Sequence, residues 1–278
     1  MITVSEPEYI LLKDYIEKHC GIVLENGKEY LIETRLSELA KNAGAKSFID
    51  FHFLAKKDHT GSLKKSIIDA MTTNETSWYR DINAWEYINK NAIPKLIERM
   101  SKKNKIRVWS AAASTGQEAY SLAISFYETL QNKGLLNKLN NIEIVGTDIS
   151  TSAISVARSG RYDSIAIQRG LSQEKKKKFF KENSNFWTIN PEVKKIVKFQ
   201  EFNLQNSFMP LGQFDFILCR YVTIYFSESL KRDLFSKLYR ALKYPGDVLL
   251  LGATESLRGF SNNFDIKYYN NTMINMKK

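Results

Sequence analysis

The sequence predicts an α/β protein, with a small all-α domain at the N-terminus followed by a doubly wound sheet. Three observations support this class. The first seventy residues show helical periodicities with no strand pattern between them, and from residue 105 apolar runs of strand length alternate with longer helical segments. These runs are apolar on both faces, which is typical of a mostly parallel sheet covered by helices on both sides.

The N-terminal helical domain is predicted over residues 1–72. Ser5 and Glu8 have the spacing of a capping box, so the first helix is expected to begin there. Helical patterns run from this capping box up to Gly21, and then over about 27–43, 47–57 and 62–71. Gly44 closes the second of them, because glycine suits the left-handed position that follows a helix. Four short helices without strands predict a separate small domain.

The second domain is predicted over residues 73–278. Its central strands are expected at 106–109, 142–146, 214–218 and 248–251, and its helices at about 117–132, 150–158 and 228–243. The last helix is expected to begin after Ser227 as N-cap and to stop at Pro245 and Gly246. Strands that alternate with helices in this way predict a Rossmann-like, doubly wound sheet.

Two antiparallel additions to this sheet are predicted. The segments 264–269 and 272–276 read as a C-terminal hairpin, and such an edge hairpin is typical of the methyltransferase variant of the fold. The segment between the second and third central strands is too long for one crossover helix. Its strand-like runs at 186–189 and 196–199 predict an inserted antiparallel β-subdomain at about 183–202.

Composition indicates which cellular compartment and which kinds of bound group the protein is expected to have. The 278 residues include two cysteines and three histidines, and all the histidines lie in the first sixty residues. A disulfide framework is therefore unsupported, and a His/Cys metal cluster in the rest of the chain is excluded, so no metal is expected. The sequence shows neither a signal-peptide pattern nor an apolar run of membrane-spanning length. We expect a cytoplasmic protein that is not inserted in a membrane.

The formal charge of +11 is unevenly distributed along the chain. Residues 1–70 hold 10 basic and 11 acidic residues, whereas residues 71–278 hold 31 basic and 19 acidic residues. A basic domain suits nucleic acid, but no interleaved platform of Arg and aromatic residues is visible, so no nucleic-acid partner is expected. The four-lysine run at 175–178 is expected to be a solvated helix face or a contact for an acidic protein surface.

Small and acidic residues follow the first two central strands. The segment SAAASTGQE at 110–118 lacks the G-x-G-x-x-G pattern, but its alanines and Gly116 would let a ligand approach the backbone. Tight packing of strand on helix explains it equally well. Asp148 ends the second strand, where a carboxylate can hold both ribose hydroxyls of an adenosine or interact favourably with a helix dipole.

Three blocks of the sequence resemble, in order and spacing, the signature segments of one enzyme family. The blocks are TTNETSWYR at 72–80, VWSAAASTGQEAYS at 108–121 and CRYVTIYF at 219–226. The family is CheR, the S-adenosylmethionine-dependent methyltransferases that esterify glutamates of chemotaxis receptors. The resemblance covers nearly the whole chain. It implies S-adenosylmethionine as cofactor, S-adenosylhomocysteine as product, and the cytoplasmic helical bundle of chemoreceptors as partner.

The resemblance also implies roles for individual residues. Those that match cofactor-binding positions are Asn74, Thr76, Arg80, Glu118, Asp148, Asn203, Leu204, Arg220 and Tyr221. Arg80 and Tyr225 match catalytic positions: Arg80 suits a carboxylate, and Tyr225 would orient groups near the transferred methyl. A surface ion pair for Arg80 and a core packing role for Tyr225 are the alternatives. Arg35 matches a substrate-facing arginine, with an ion pair to Glu38 as its alternative.

The sequence departs from the family pattern at Tyr221, where the family usually has Asn. A pocket of altered shape or lower cofactor affinity is therefore expected there, and a cofactor-binding regulatory module with weak or no catalysis is the alternative function. A nucleic-acid methyltransferase is a further alternative. Some family members also hold a receptor C-terminal peptide through the β-subdomain. Because residues 1–70 are not basic, docking of the substrate is expected to depend more on the lysine run than on Arg35.

The expected chemistry needs few acid–base groups. A glutamate side chain has a pKa of about 4.3 and is ionised near neutrality, so its attack on a methyl group requires no general base. The protein must instead align the reacting atoms and remove water from the carboxylate.

Overall fold

The computed structural model describes residues 3–100 and 105–278. The predicted N-terminal helices are confirmed: they are α1 (Glu6–Cys20), α2 (Glu29–Asn42), α3 (Phe48–Lys57) and α4 (Ser62–Met71). The Ser5 hydroxyl and amide both bond to the Glu8 carboxylate, at 2.7 and 2.9 Å, as the capping box predicts. The apolar faces of the four helices enclose their own core, which includes Leu12, Ile32 and Phe51.

The larger domain begins with a helical segment that the sequence analysis did not predict. This segment consists of α5 (Ile82–Tyr87), a π-helical turn (Ile88–Ala92) and α6 (Ile93–Arg99). Pro94 lies in the first turn of α6, directly after the π-helical turn. Proline has no backbone N–H and is best tolerated in the first turn of a helix, where that N–H would lack an intrahelical partner. Buried apolar residues at helical spacing, such as Trp85 and Ile88, were the available signal.

The larger domain contains the remaining elements. Its helices are α7 (Gln117–Asn132), α8 (Thr151–Ser159), α9 (Ser164–Gln168), α10 (Gln173–Phe179), α11 (Pro191–Lys194) and α12 (Glu228–Ala241). Its strands are β1 (Ile106–Ala111), β2 (Ile142–Asp148), β3 (Arg161–Tyr162), β4 (Phe180–Asn183), β5 (Phe186–Ile189), β6 (Val197–Glu201), β7 (Phe216–Cys219), β8 (Val248–Leu251), β9 (Phe264–Tyr269) and β10 (Thr272–Lys277).

Seven of these strands form the doubly wound sheet that the sequence predicts. Their order is β6-β2-β1-β7-β8-β10-β9; neighbouring strands from β6 to β8 are parallel, and β10 and β9 form the antiparallel edge hairpin. Strand order reverses between β1 and β7. The carboxyl ends of both strands meet at one edge of the sheet, where open α/β sheets bind their ligands.

The predicted inserted β-subdomain is present, but one of the two strands predicted for it belongs to the main sheet. The small antiparallel sheet has the order β3-β5-β4. The run at 196–199 belongs instead to β6, the parallel edge strand of the main sheet, where Phe199 packs over Gly146. A Cβ on Gly146 would lie 2.5 Å from the Phe199 ring, so this contact requires glycine. Alternation along a short strand does not reveal which sheet the strand joins.

Within the described ranges, no helix has both the length and the apolar character that a membrane crossing requires.

Candidate active site

A pocket opens at the carboxyl ends of β1, β2 and β7, where the strand order reverses. All residues predicted to bind cofactor, together with Tyr225, line it: Asn74, Thr76, Arg80, Glu118, Asp148, Asn203, Leu204, Arg220, Tyr221 and Tyr225. These residues come from five separate segments of the chain. Arg35 is the exception, because it lies in a neighbouring groove.

Asp148 stands at the end of β2 with its carboxylate buried. Its Oδ2 accepts the amide N–H of Ser114 at 2.7 Å and its Oδ1 accepts that of Ser150 at 2.9 Å. Burial raises the pKa of Asp148, and these amide bonds oppose the rise. A carboxylate offers about four acceptor positions, so the two amides leave room for hydroxyl donors of a ligand.

A buried ion cluster consists of Arg220, whose side chain is buried, and the partly exposed carboxylates of Asp81 and Glu118; Arg220 and Glu118 line the pocket, and Asp81 lies outside its lining. The Arg220 side chain is 2% exposed, and its Nη1 donates to Glu118 at 2.8 Å while its Nη2 donates to Asp81 at 2.6 Å. Glu118 also accepts from the Ser110 hydroxyl at 2.7 Å. Burial by itself would lower the pKa of Arg220, but the two carboxylates outweigh it and raise that pKa above its usual range. The Arg220 guanidinium therefore keeps its charge.

Tyr221 and Arg80 contact each other on the pocket wall. The Arg80 guanidinium lies 3.7 Å from the centroid of the Tyr221 ring. The Tyr221 hydroxyl donates to Asp81, a member of the buried ion cluster, and its backbone has a φ of +58°. The Tyr221 ring lies along the wall beneath Arg80; a pocket of altered shape or lower cofactor affinity stays a prediction.

Glu255 holds the loop that follows β7. Its buried carboxylate accepts the amide N–H groups of Tyr221, Val222 and Thr223 at 2.6, 3.0 and 2.7 Å. It also accepts the Thr223 hydroxyl at 2.7 Å and the Gly252 amide at 2.8 Å. Five donors on one carboxylate fix this loop, which carries Tyr225 into the pocket.

The block at 72–80 is anchored from behind by Trp78. The Trp78 indole donates to the Ala166 carbonyl at 2.9 Å, and its ring packs edge-on against Tyr162 and Phe180. Gly170 approaches so closely that a Cβ there would lie 2.2 Å from the Trp78 carbonyl oxygen. The small β-sheet therefore supports the cofactor-facing loop.

The N-terminal domain contributes to the same pocket. Cys20 and Ile22, at the end of α1, are among the lining residues. The Asn203 side-chain amide donates to the His19 carbonyl at 2.8 Å, which ties the loop after β6 to the end of α1. Burial raises the pKa of Cys20 to about 11, so its thiol stays protonated at neutral pH.

Arg35 lies in a groove that adjoins the pocket and shares Ile22, Thr73 and Tyr225 with it. Its Nη1 donates to the Met71 carbonyl at the end of α4, at 2.8 Å. Its Nη2 lies 3.4 Å from the Thr73 hydroxyl. Arg35 thus joins α2 to the end of α4, where a cation is favoured by the helix dipole.

The lysine run lies away from the pocket. It forms α10, where Lys175 pairs with Glu128, Lys176 lies over the Trp187 ring, and Lys178 donates to Gln131 at 2.8 Å. Glu128 is ten residues beyond Glu118 on α7, about 15 Å along the helix. The expectation that substrate docking depends on this run more than on Arg35 therefore has no support in the geometry.

Two carboxylates that hold pocket residues in place, Glu255 and Asp81, were missed by the sequence analysis; neither lines the pocket itself. Glu255 lies four residues after the end of β8, on the carboxyl side of the sheet, so attention to acidic residues that follow the predicted strands could have found it. Asp81 follows Arg80 directly, but its pairing with Arg220 joins residues 139 positions apart. Only the folded chain shows that pairing.

The pocket residues fit S-adenosylmethionine. Asp148 suits ribose hydroxyls, and the small residues Ala112 and Ala113 leave space at the end of β1. Two buried donors, Arg220 Nε and Trp85 Nε1, have no partner among the described residues, and both side chains line the pocket. Unpaired buried donors are costly, so they favour a ligand that carries acceptors. The described residues contain no group of three or more His, Cys, Asp or Glu that could hold a metal ion.

Comparison with known proteins identifies a single family. The model of the CheR methyltransferase SAM-binding domain matches residues 74–272, and that of the CheR methyltransferase all-alpha domain matches residues 7–72. The chemotaxis protein methyltransferase of Vibrio anguillarum is 39% identical, over 95% of this chain and 94% of that protein. Chemotaxis protein methyltransferase 1 of Pseudomonas aeruginosa is 37% identical, over 95% of this chain and 96% of that protein. The chemotaxis protein methyltransferase of Borreliella burgdorferi is 33% identical, over 94% of this chain and 92% of that protein.

Proposed function

The chain belongs to the CheR family of S-adenosylmethionine-dependent methyltransferases, and from this premise we propose that it methylates glutamate side chains of chemoreceptors and so sets receptor adaptation. One observation carries the proposal. Five separate segments bring every residue matched to a cofactor position, and Tyr225, into a single pocket at the reversal of strand order. The relatives that match more than nine-tenths of the chain are named chemotaxis protein methyltransferases.

The side chains of the pocket bind and orient the reactants. Bound S-adenosylmethionine supplies an electrophilic methyl group on a positively charged sulfur. Asp148 would hold the ribose hydroxyls, with Asn74, Thr76, Asn203 and Leu204 beside it. Arg80 would hold a carboxylate, from the methionine end of the cofactor or from the substrate. Glu118 and Arg220 would complete the wall.

The pocket needs no proton acceptor for this reaction. No histidine is among the residues that line it, and the Cys20 thiol is protonated at neutral pH because burial raises its pKa to about 11. A glutamate that enters already ionised brings its own nucleophile. Tyr225, held by the loop that Glu255 anchors, would orient the glutamate and help to exclude water.

The groove around Arg35 is the proposed approach for the receptor helix. It leads to Tyr225, and the half-exposed Ile224 and the cations Lys28 and Arg35 line it. A helix that presents apolar residues and ionised glutamates matches this lining. The receptor bundle is cytoplasmic, so the enzyme would act in the cytoplasm.

The small β-sheet is a second proposed contact with the receptor. Its order leaves β4 as an edge strand with exposed Lys181, Glu182 and Asn183. An extended peptide can pair with such an edge through main-chain hydrogen bonds. A receptor C-terminal peptide would bind there and keep the enzyme near its substrate.

The test uses the full-length protein with methyl-labelled S-adenosylmethionine and receptor-containing membranes. We expect base-labile methyl esters on receptor glutamates, and a large reduction for Asp148→Asn because ribose contacts would be lost. Glu201→Gln, at the exposed end of β6, is the control. A protein that binds S-adenosylhomocysteine in calorimetry but forms no ester would refute the transfer to receptors and favour a regulatory cofactor-binding module.

A further inference from the structure

Tyr221 has a backbone conformation that its side chain does not favour. Its φ of +58° lies in the left-handed region, where a bulky residue is strained and where Asn and Gly are tolerated best. Such strain persists only where neighbouring contacts over-determine it, and it is concentrated at functional sites. The contacts that hold Tyr221 therefore indicate what its side chain does.

Tyr221 is held at both ends. Its amide N–H donates to Glu255 at 2.6 Å, which fixes the backbone. Its hydroxyl donates to Asp81, which is itself held by Arg220 at 2.6 Å. Burial raises the pKa of the Tyr221 hydroxyl, so it stays protonated and remains a donor at neutral pH. The ring between these two anchors has a defined orientation.

Arg80 lies against the face of this fixed ring. Its guanidinium is 3.7 Å from the ring centroid. The one hydrogen bond that the guanidinium donates among the described residues is long, 3.4 Å, and goes to the Glu75 carbonyl. A guanidinium that stacks on a ring uses its face and leaves its in-plane N–H groups free. Those groups form a fork that matches a carboxylate.

We infer that Tyr221 is a positioning residue that acts through Arg80: its ring carries the guanidinium on the pocket wall and leaves the N–H fork free for a carboxylate. This inference rests on the proposed function, because the carboxylate belongs either to the methionine end of the cofactor or to the substrate glutamate. The backbone strain is retained because a residue better suited to this backbone would lack the ring.

Two substitutions separate the ring from the backbone. Tyr221→Asn suits the left-handed backbone but removes the ring, so we expect it to unfold at the same temperature as the wild type or higher. It should weaken S-adenosylhomocysteine binding, or raise KM for the receptor, about three- to tenfold. The constant that changes identifies which carboxylate Arg80 holds. Tyr221→Phe keeps the ring and should recover most of the loss.

A double-mutant cycle shows whether Tyr221 acts through Arg80. In an Arg80→Ala background, Tyr221→Asn should change either constant by less than about twofold, because the group that the ring carries is gone. An effect of equal size in both backgrounds would overturn the inference. So would a Tyr221→Asn single variant with both constants unchanged.

A spectroscopic measurement tests the stacking without activity. Stacking on a ring shifts the Arg80 side-chain proton signals upfield in NMR, and we expect this shift in the wild type and Tyr221→Phe but not in Tyr221→Asn. A wild type without the shift would contradict the inference even if the enzyme methylates receptors. A wild type that shows the shift but neither binds S-adenosylhomocysteine nor forms esters would support the stacking and contradict the proposed function.

Discussion

The buried ion cluster and the exposed edge of the same pocket are held by different interactions. In the cluster, Arg220 is 2% exposed and its charge is taken up by Asp81 and Glu118. At the edge, Arg80 is half-buried and rests mainly on the Tyr221 ring, while Arg35 bonds chiefly to a helix end. Charges that are paired with each other maintain the shape of the pocket. Charges with free N–H groups are available to ligands.

Removal of the cluster's cation should have the largest effect. Arg220→Met would leave the carboxylates of Asp81 and Glu118, which are 28% and 14% exposed, without a counter-ion. We expect a loss of about 3 kcal/mol in the free energy of unfolding, the lower end of the range for a broken buried ion pair. Urea denaturation measures it. Arg240→Met, at an exposed arginine of α12 that forms no ion pair among the described residues, is the matched control and should cost under about 0.5 kcal/mol. Equal losses for the two variants would show that the cluster is not the pocket's framework.

Asp148 makes the cofactor affinity depend on pH. Ionised Asp148 is the better acceptor for ribose hydroxyls, so affinity should be full above its pKa and fall as pH decreases through it. Because burial raises that pKa, the fall should begin at a higher pH than for an exposed aspartate. The unliganded fold binds this proton more tightly than the unfolded chain, so the same protonation does not destabilise it. Calorimetry with S-adenosylhomocysteine should show a flatter profile for Asp148→Asn, and an unchanged profile would exclude Asp148 as the titrating group.

The smallest effects should come from charges outside the pocket lining, in the adjoining groove and on α10. Arg35→Glu reverses a cation in the groove beside Tyr225 and should raise KM for the receptor several-fold, because the substrate glutamates are anionic. The double variant Lys177→Glu/Lys178→Glu, on the exposed face of α10, should change KM by less than about twofold. A larger effect of the lysine variant would show that the receptor docks on α10 and not in the groove around Arg35.

Local patterns in the sequence were sufficient to predict the N-terminal helices and the central strands. The N-terminal helices follow from caps and apolar spacing, and the central strands from buried apolar runs, since both depend on residues close together in the chain. Asp148 could be identified because the end of a parallel strand is a position that topology makes significant. The chemical assignments of single residues came from the family resemblance, which the domain matches now support.

What the sequence alone determined is the four N-terminal helices, the central strands, the fold class and the family. The tertiary structure decided that the run at 196–199 joins the main sheet, that Arg220 pairs with Asp81, and that Arg80 lies against the Tyr221 ring. The physical reason is sequence separation: Tyr221 and Asp81 are 140 residues apart, and no periodicity or cap links residues at that distance. Such contacts form only when the ends of distant strands are brought to one edge of the sheet.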